Sequence, residues 1–311
     1  MRAVVVDGYG VTPVVREVAE PVPGPGEVKV RVRASSLNGF DALLAAGALK
    51  GMFEHRFPIV LGKDFAGTVE EVGVDVAEFE VGDEVFGVVA KAAPTDGGGF
   101  GEYLTTAAQF GIAHIPAGLD HATAGLLGLA GAAAVGSVDA VALSAGETVL
   151  VSGATGGVGS YVVQLAAARG ATVIATAAPG VEADHVRELG ADHVVDYRGD
   201  LSARVRELVP GGVDAVVHLA GDGLALADLL TSGGRIASTL HLGQEQLGDR
   251  DVTATAVVAL PDRGVLNQLA DDKASGRLRV PVARTYRLHE IPQALTDFAN
   301  GTLGKLAVST T

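Results

Sequence analysis

The sequence predicts an α/β protein in which a doubly wound parallel sheet is accompanied by a separate β-rich unit. Three observations predict it. From about residue 147, apolar strand-like runs alternate with helical stretches; a glycine cluster joins the first of these strands to the first helix; and the first 118 residues read as strands and turns, a texture that returns near the C-terminus. The division is therefore 1–118 with 271–311 as one unit and 119–270 as the other.

In the β-rich unit, Pro21-Val22-Pro23-Gly24-Pro25-Gly26 cannot be helical, because proline lacks the N–H and clashes with the preceding turn. Val28-Lys29-Val30-Arg31-Val32-Arg33 alternates apolar and charged residues, the mark of a strand with one wet face. Gly67–Gly73 and Gly82–Gly87 are predicted strands bounded by glycine turns, and Asp96-Gly97-Gly98-Gly99 a mobile surface loop. The uncharged Ala122–Val138, mostly Ala and Gly, reads as one buried helix, too short for the roughly 20 residues of a membrane span.

Thr148-Val149-Leu150-Val151 is an apolar, β-branched run, as expected of a central parallel strand covered on both faces. Tyr161–Arg169 is a helix ended by Gly170. Strands follow at Ala171–Thr176, His193–Asp196, Asp214–Leu219 and Arg235–Ser238, with helices at Glu182–Leu189 and Leu224–Leu230. Asp251–Val258 reads as an edge strand. In the C-terminal return, Pro281–Tyr286 and Leu306–Val308 are strands and Ile291–Ala299 a helix.

Composition narrows the function. The 311 residues are 48% hydrophobic and 19% charged, a globular balance. Without a single cysteine, disulfides, thiolate nucleophiles and Cys-containing zinc sites are impossible. A net charge of −14 with no basic cluster disfavours nucleic acid and anionic lipid surfaces as partners. The start, Met1-Arg2-Ala3-Val4-Val5-Val6-Asp7, is too short for a signal-peptide core, and a cytoplasmic protein is expected.

Gly153-Ala154-Thr155-Gly156-Gly157-Val158-Gly159 lies between a predicted strand and a predicted helix. A sharp turn, close approach to a pyrophosphate and tight strand–helix packing each exclude a Cβ, so the cluster predicts a dinucleotide site. An NAD site usually has an acid about 20 residues after the first glycine. Ala175-Thr176-Ala177-Ala178 holds none, which favours NADPH; Thr176, His185, Arg187 and Tyr197 are the candidates for reaching its 2′-phosphate. His218 and His241, near the ends of parallel strands, are candidates for contact with nicotinamide or substrate, although a packing role is the commoner one.

Leu37-Asn38-Gly39-Phe40-Asp41, Phe57–Gly67, Val81–Val85, Gly101-Glu102-Tyr103 and Gly304-Lys305, taken with the glycine cluster, resemble the zinc-independent quinone oxidoreductase (zeta-crystallin-like) branch of the medium-chain dehydrogenase/reductase superfamily, over essentially the whole chain. The resemblance implies a GroES-like, partly open barrel as catalytic domain and a Rossmann domain, with the reaction between them. It also implies that Asn38 and Lys63 stand where zinc-dependent relatives carry Cys and His, so no metal is expected. By the same resemblance Asn38 hydrogen-bonds near nicotinamide or substrate and Asp41 orders that loop. Lys63 either donates to an enolate oxygen or is a structural partner of Asp64, and Tyr103 is a packing residue. Ala45, Leu49 and Ala133-Ala134 depart from the branch, replacing polar residues, and give a smoother pocket.

The implied activity is hydride transfer from NADPH to a quinone or an α,β-unsaturated carbonyl by a homodimer. The alternatives are an enoyl-thioester or biosynthetic tailoring reductase, and a non-catalytic NADPH-binding protein.

Overall fold

The alternation at Val28–Arg33 grows into an eleven-residue strand, Glu27–Leu37, on which the first of two units is built. The computed structural model describes residues 1–91 and 97–310, and groups them as 1–91, 97–132 and 260–310 in one unit and 133–259 in the other. Residues 119–132 and 260–270, assigned by the sequence to the doubly wound unit, thus pack with the first.

One edge of Glu27–Leu37 pairs antiparallel with Asp64–Val72, which continues to Glu84–Val88 and Ile112–His114. Its other edge takes Tyr103–Ala107 at the start and Lys305–Ser309 at the end, and the latter pairs in parallel with Val282–Arg287. Register shifts at Lys29/Val30 and Val32/Ala34 bend the strand, as bulges do, while it serves both partners. Val28, Val30 and Val32 are buried with Phe65, Val69 and Val85. The wet face is less wet than the alternation suggests: Lys29 is also buried, its ammonium ion-paired to Glu20 and Glu71 and lying 4.9 Å over the Tyr103 ring. A second core gathers Leu37, Leu44, Ile59, Leu61, Phe100 and Leu306.

Gly98 and Gly99 are buried rather than part of a surface loop, because a Cβ at either would overlap the carbonyl oxygen of Leu61 or Asp64. Gly97 is exposed and Asp96 lies outside the described residues. The single helix expected over Ala122–Val138 is two, His121–Ala124 and Gly128–Ala140. Gly125 and Gly128 weaken helix continuity, and the Asp64 carboxylate accepts from Leu129 N at 2.7 Å, capping the second helix.

The second unit is a six-stranded sheet with every neighbouring pair parallel. Its order is His193–Val195, Thr172–Thr176, Thr148–Ser152, Val213–His218, Leu230–Ser238, Val252–Ala256. Numbered along the chain this is 3-2-1-4-5-6, the doubly wound order, with its switch point between Thr148–Ser152 and Val213–His218. Val149, Leu150 and Val151 are fully buried, as a central strand requires. Three helices that the sequence reading passes over complete the picture, Leu201–Leu208 here and Gly39–Ala45 and Arg263–Ala274 in the first unit. No helix among the described residues is long and apolar enough to cross a membrane.

Candidate functional site

The glycine turn sits at the switch point. Gly153 leaves the Thr148–Ser152 strand with φ +67°, a conformation that costs a side-chain-bearing residue about 1–2 kcal/mol. Its N–H donates to Thr176 Oγ1 at 3.0 Å, tying the turn to the neighbouring strand. Ser152 Oγ accepts from Leu219 N at 3.1 Å, tying it to the strand across the switch. Gly156 caps the helix Gly157–Ala168. Gly159 faces inward, where a Cβ would stand 2.6 Å from Ala154 Cα and overlap Gly153 O. Ala154 is buried beneath the turn, while Thr155, Gly156, Gly157 and Val158 reach solvent. The first-turn N–H groups of such a helix find no carbonyl within it and carry the positive end of its dipole. A phosphate fits that cradle.

The rim beyond the second strand differs from expectation. Thr176 is 4% exposed and its hydroxyl holds Gly153, so it acts through the turn and does not face a 2′-phosphate. His185 Nε2 lies 3.1 Å from Ser160 Oγ, and Arg187 is ion-paired to Asp184 at 3.0 Å. Tyr197 is half exposed, its hydroxyl 3.5 Å from Glu182 Oε1. The other oxygen of Glu182 accepts from Ala178 N at 2.8 Å.

Of the two histidines, the structure removes one. His218 is 3% exposed; Nε2 faces Gly221 O at 3.1 Å and must carry the proton, leaving Nδ1 to accept from Ser238 Oγ at 3.0 Å. Both nitrogens are engaged, and the ring is a satisfied core group. His241 is exposed after the end of Leu230–Ser238, with φ +61°, rare for a residue with a Cβ.

The first unit holds a buried polar nest around Asp64, which is 0% exposed. Its Oδ2 accepts from Ser36 Oγ and from Asn38 Nδ2, the latter at 2.9 Å, and the Lys305 ammonium lies 3.6 Å away. Asn38 is committed: Nδ2 also donates to Ser36 O at 3.2 Å, and Oδ1 accepts from Lys305 Nζ at 2.7 Å. Both amide hydrogens are turned inward, so Asn38 holds this nest together, and the expected contact near nicotinamide or substrate is left to Oδ1. Asp41 stands in the first turn of Gly39–Ala45, where Oδ2 accepts from Asn38 N at 2.9 Å. Its Oδ1 is buried without a hydrogen-bond partner among the described residues. Burial raises the Asp41 carboxyl to about 7, helped by the Asp64 charge and opposed by the Asn38 N–H, Lys63 and Lys305.

Lys63 is half buried, its ammonium donating to Val89 O at 2.7 Å and lying 5.4 Å over the Phe40 ring. Burial lowers its pKa against the pull of Asp41 and Asp64, and burial lowers that of Lys305 likewise. Ala45 and Leu49 are core residues of this unit. Lys305 is the residue that sequence reasoning undervalued; the Gly304-Lys305 pair was its visible signal. Among the described residues, no three His, Cys, Asp or Glu side chains come together as a metal site.

A doubly wound domain with a glycine cradle, in one chain with a β-rich unit of this topology, defines a nicotinamide-dependent oxidoreductase. Residues 24–117 match the family model of the alcohol dehydrogenase GroES-like domain and residues 157–245 that of zinc-binding dehydrogenases. The chloroplastic quinone-oxidoreductase QR1 of Triphysaria versicolor is 34% identical over 229 residues, covering 71% of this chain and 68% of the relative. A mycocerosic acid synthase-like polyketide synthase of Mycobacterium tuberculosis is 36% identical over 247 residues, 78% of this chain. The chain spans only 11% of that much longer relative. The solved quinone oxidoreductase of Coxiella burnetii superposes with a TM-score of 0.90 at 27% identity, covering 100% of this chain and 99% of that one. The chain belongs to the medium-chain dehydrogenase/reductase superfamily, in its quinone oxidoreductase branch.

Proposed function

We propose that the chain is a zinc-free reductase that takes hydride from a reduced pyridine dinucleotide and delivers it to a quinone or an α,β-unsaturated carbonyl. The observation that carries this reading is the Gly153–Gly159 cradle at the switch point of a 3-2-1-4-5-6 sheet. A dinucleotide bound there supplies hydride from C4 of its nicotinamide. The turn binds and orients the pyrophosphate, and the domain holds the reacting atoms in register and limits water. The acceptor gains hydride at its electron-poor carbon and, at the conjugated oxygen, a proton from solvent. Asn38 and Asp41 hold the loop, and Lys63 is the candidate for steadying the negative charge that develops on that oxygen.

The donor set supports the metal-free reading. The Asn38 amide is committed to Ser36, Asp64 and Lys305, and the Lys63 ammonium donates to Val89 O; neither is disposed as a metal ligand. A conjugated acceptor suits such a site, because its own π system disperses the charge that a Lewis acid would otherwise bear. The missing acid at 175–178 speaks for NADPH, and Glu182 speaks against it.

The test is incubation of the purified chain with NADPH or NADH and a panel of quinones and enones, following nicotinamide absorbance. Oxidation dependent on acceptor supports the reading; no turnover with any member of the panel overturns it. The polyketide synthase relative favours a second reading, an enoyl-thioester reductase. Preference for a thioester-activated enoyl substrate over quinones by more than tenfold in kcat/KM selects it. Tight dinucleotide binding without turnover on either class selects a non-catalytic binding protein.

We place the protein in the cytoplasm, where a cysteine-free reductase finds reduced dinucleotide. Val252–Ala256 is an edge strand with Thr253 and Thr255 exposed, and pairing of two such edges makes a homodimer. Light scattering should then report twice the 31.3 kDa chain mass, and Thr255→Lys should shift it towards monomer.

A further inference from the structure

The sequence places no acid at 175–178, yet the structure brings one there from the following helix. Glu182, in the first turn of Val181–Glu188, reaches back so that Oε2 accepts from Ala178 N at 2.8 Å, two residues past the end of the Thr172–Thr176 strand. In a doubly wound dinucleotide site, the end of the second strand is where the adenosine ribose is read, and an acid there engages the 2′-OH. A 2′-phosphate at this tip needs backbone N–H groups and free cations. The Ala178 N–H already serves a carboxylate. The cations nearby are matched as well: Arg187 by Asp184 at 3.0 Å, Arg198 by Asp196 through two contacts of 3.0 Å, and Arg204 by Glu207 at 3.4 Å. Thr176 is turned to Gly153, and the Tyr197 hydroxyl is directed at Glu182. The four acids Glu182, Asp184, Asp196 and Glu207 face three arginines, so the rim is net negative where a dianion would have to settle.

We infer that Glu182 is the residue that sets dinucleotide preference, and that it turns this chain towards NADH and away from NADPH. The inference rests on the dinucleotide reading of the glycine turn. The carboxylate occupies the donor a 2′-phosphate would use and repels its charge, while its Tyr197-facing oxygen stays placed to accept from a ribose hydroxyl.

The experiment is a titration of the protein with NADH and with NADPH, read by nicotinamide fluorescence, at low and at moderate salt, for the wild type and for Glu182→Gln. The wild type should bind NADH more tightly, and added salt should narrow the gap, since screening weakens a like-charge repulsion. Glu182→Gln removes one charge and should move the NADH-to-NADPH affinity ratio by about tenfold towards NADPH, the scale of a charge interaction at a partly wet surface. A wild type that prefers NADPH, or a ratio unmoved by Glu182→Gln, overturns the inference. The wild-type preference and its salt dependence need no variant, so a misfolded mutant leaves the test intact. Failure of the wild type to bind either nucleotide is a different result, and it sinks the dinucleotide reading itself.

Discussion

Replacing Lys305 by Met tests whether the buried nest is held by charge. Lys305 is 2% exposed and Asp64 0%, so neither ion has water to fall back on. Their 3.6 Å separation corresponds to about 4.6 kcal/mol of Coulomb attraction at an effective dielectric of about 20. Desolvation of both ions offsets much of that, so the pair adds little net stability compared with an apolar substitute. Removing one partner alone is another matter. Lys305→Met leaves the Asp64 carboxylate buried and unbalanced, and it leaves Asn38 Oδ1 without its donor, which should cost about 3–5 kcal/mol. Asp64→Asn strands the Lys305 ammonium at a similar cost. The double variant strands neither, and its loss should be smaller than the sum of the two by about 3 kcal/mol. The chain has no tryptophan, so urea unfolding is best followed by far-UV circular dichroism. Losses that add to within about 0.5 kcal/mol would refute the coupling and reduce the nest to independent hydrogen bonds.

Three further perturbations have expected outcomes. Burial raises the Asp41 carboxyl from its ordinary 3.8 to about 7, so the folded state holds that proton more tightly. Its stabilisation is complete below about pH 4 and is lost as pH rises through 7; the wild type should therefore lose up to about 4 kcal/mol relative to Asp41→Asn between those limits, and a difference flat across a urea series at stepped pH would contradict this. Gly159→Ala forces a methyl against Gly153 O and Ala154, so calorimetry should show dinucleotide affinity reduced by tenfold or more with the first unit's nest intact; unchanged affinity would remove the cradle from the site. His241→Gly relieves a left-handed backbone and should raise thermal stability by up to about 1 kcal/mol while turnover falls. A variant that is more stable and equally active would leave His241 without a functional role.

The local features were legible in the sequence. The Gly153–Gly159 turn, the apolar Thr148–Val151 run and the helix Ile291–Ala299 are written in short-range patterns of glycine, β-branching and helical period. What the sequence withheld depends on distant partners. Asn38 and Lys305 are separated by 267 positions, and nothing around either announces that they share a hydrogen bond. The break at Gly125–Leu127 follows from a carboxylate on a strand far upstream. His218 looked available until Ser238 and Gly221 closed on its two nitrogens. Glu182 stood in plain view, but the distance rule for the ribose acid assumes that it comes from the strand end, whereas here a helix lends it. The helices Leu201–Leu208 and Arg263–Ala274 carried readable starts, since Asp200 and Asp262 accept from Ala203 N and Val265 N, as capping residues do.

The convergence on Asp64 has a consequence for how the polypeptide is made. Ser36, Asn38, Leu129 and Lys305 all deliver a group to one carboxylate, so the unit translated first cannot neutralise its own interior until residue 305 has left the ribosome. Residues 133–259, by contrast, close their sheet from one uninterrupted stretch. Early synthesis does not mean early completion here: the middle of the chain can mature while the beginning waits for the end.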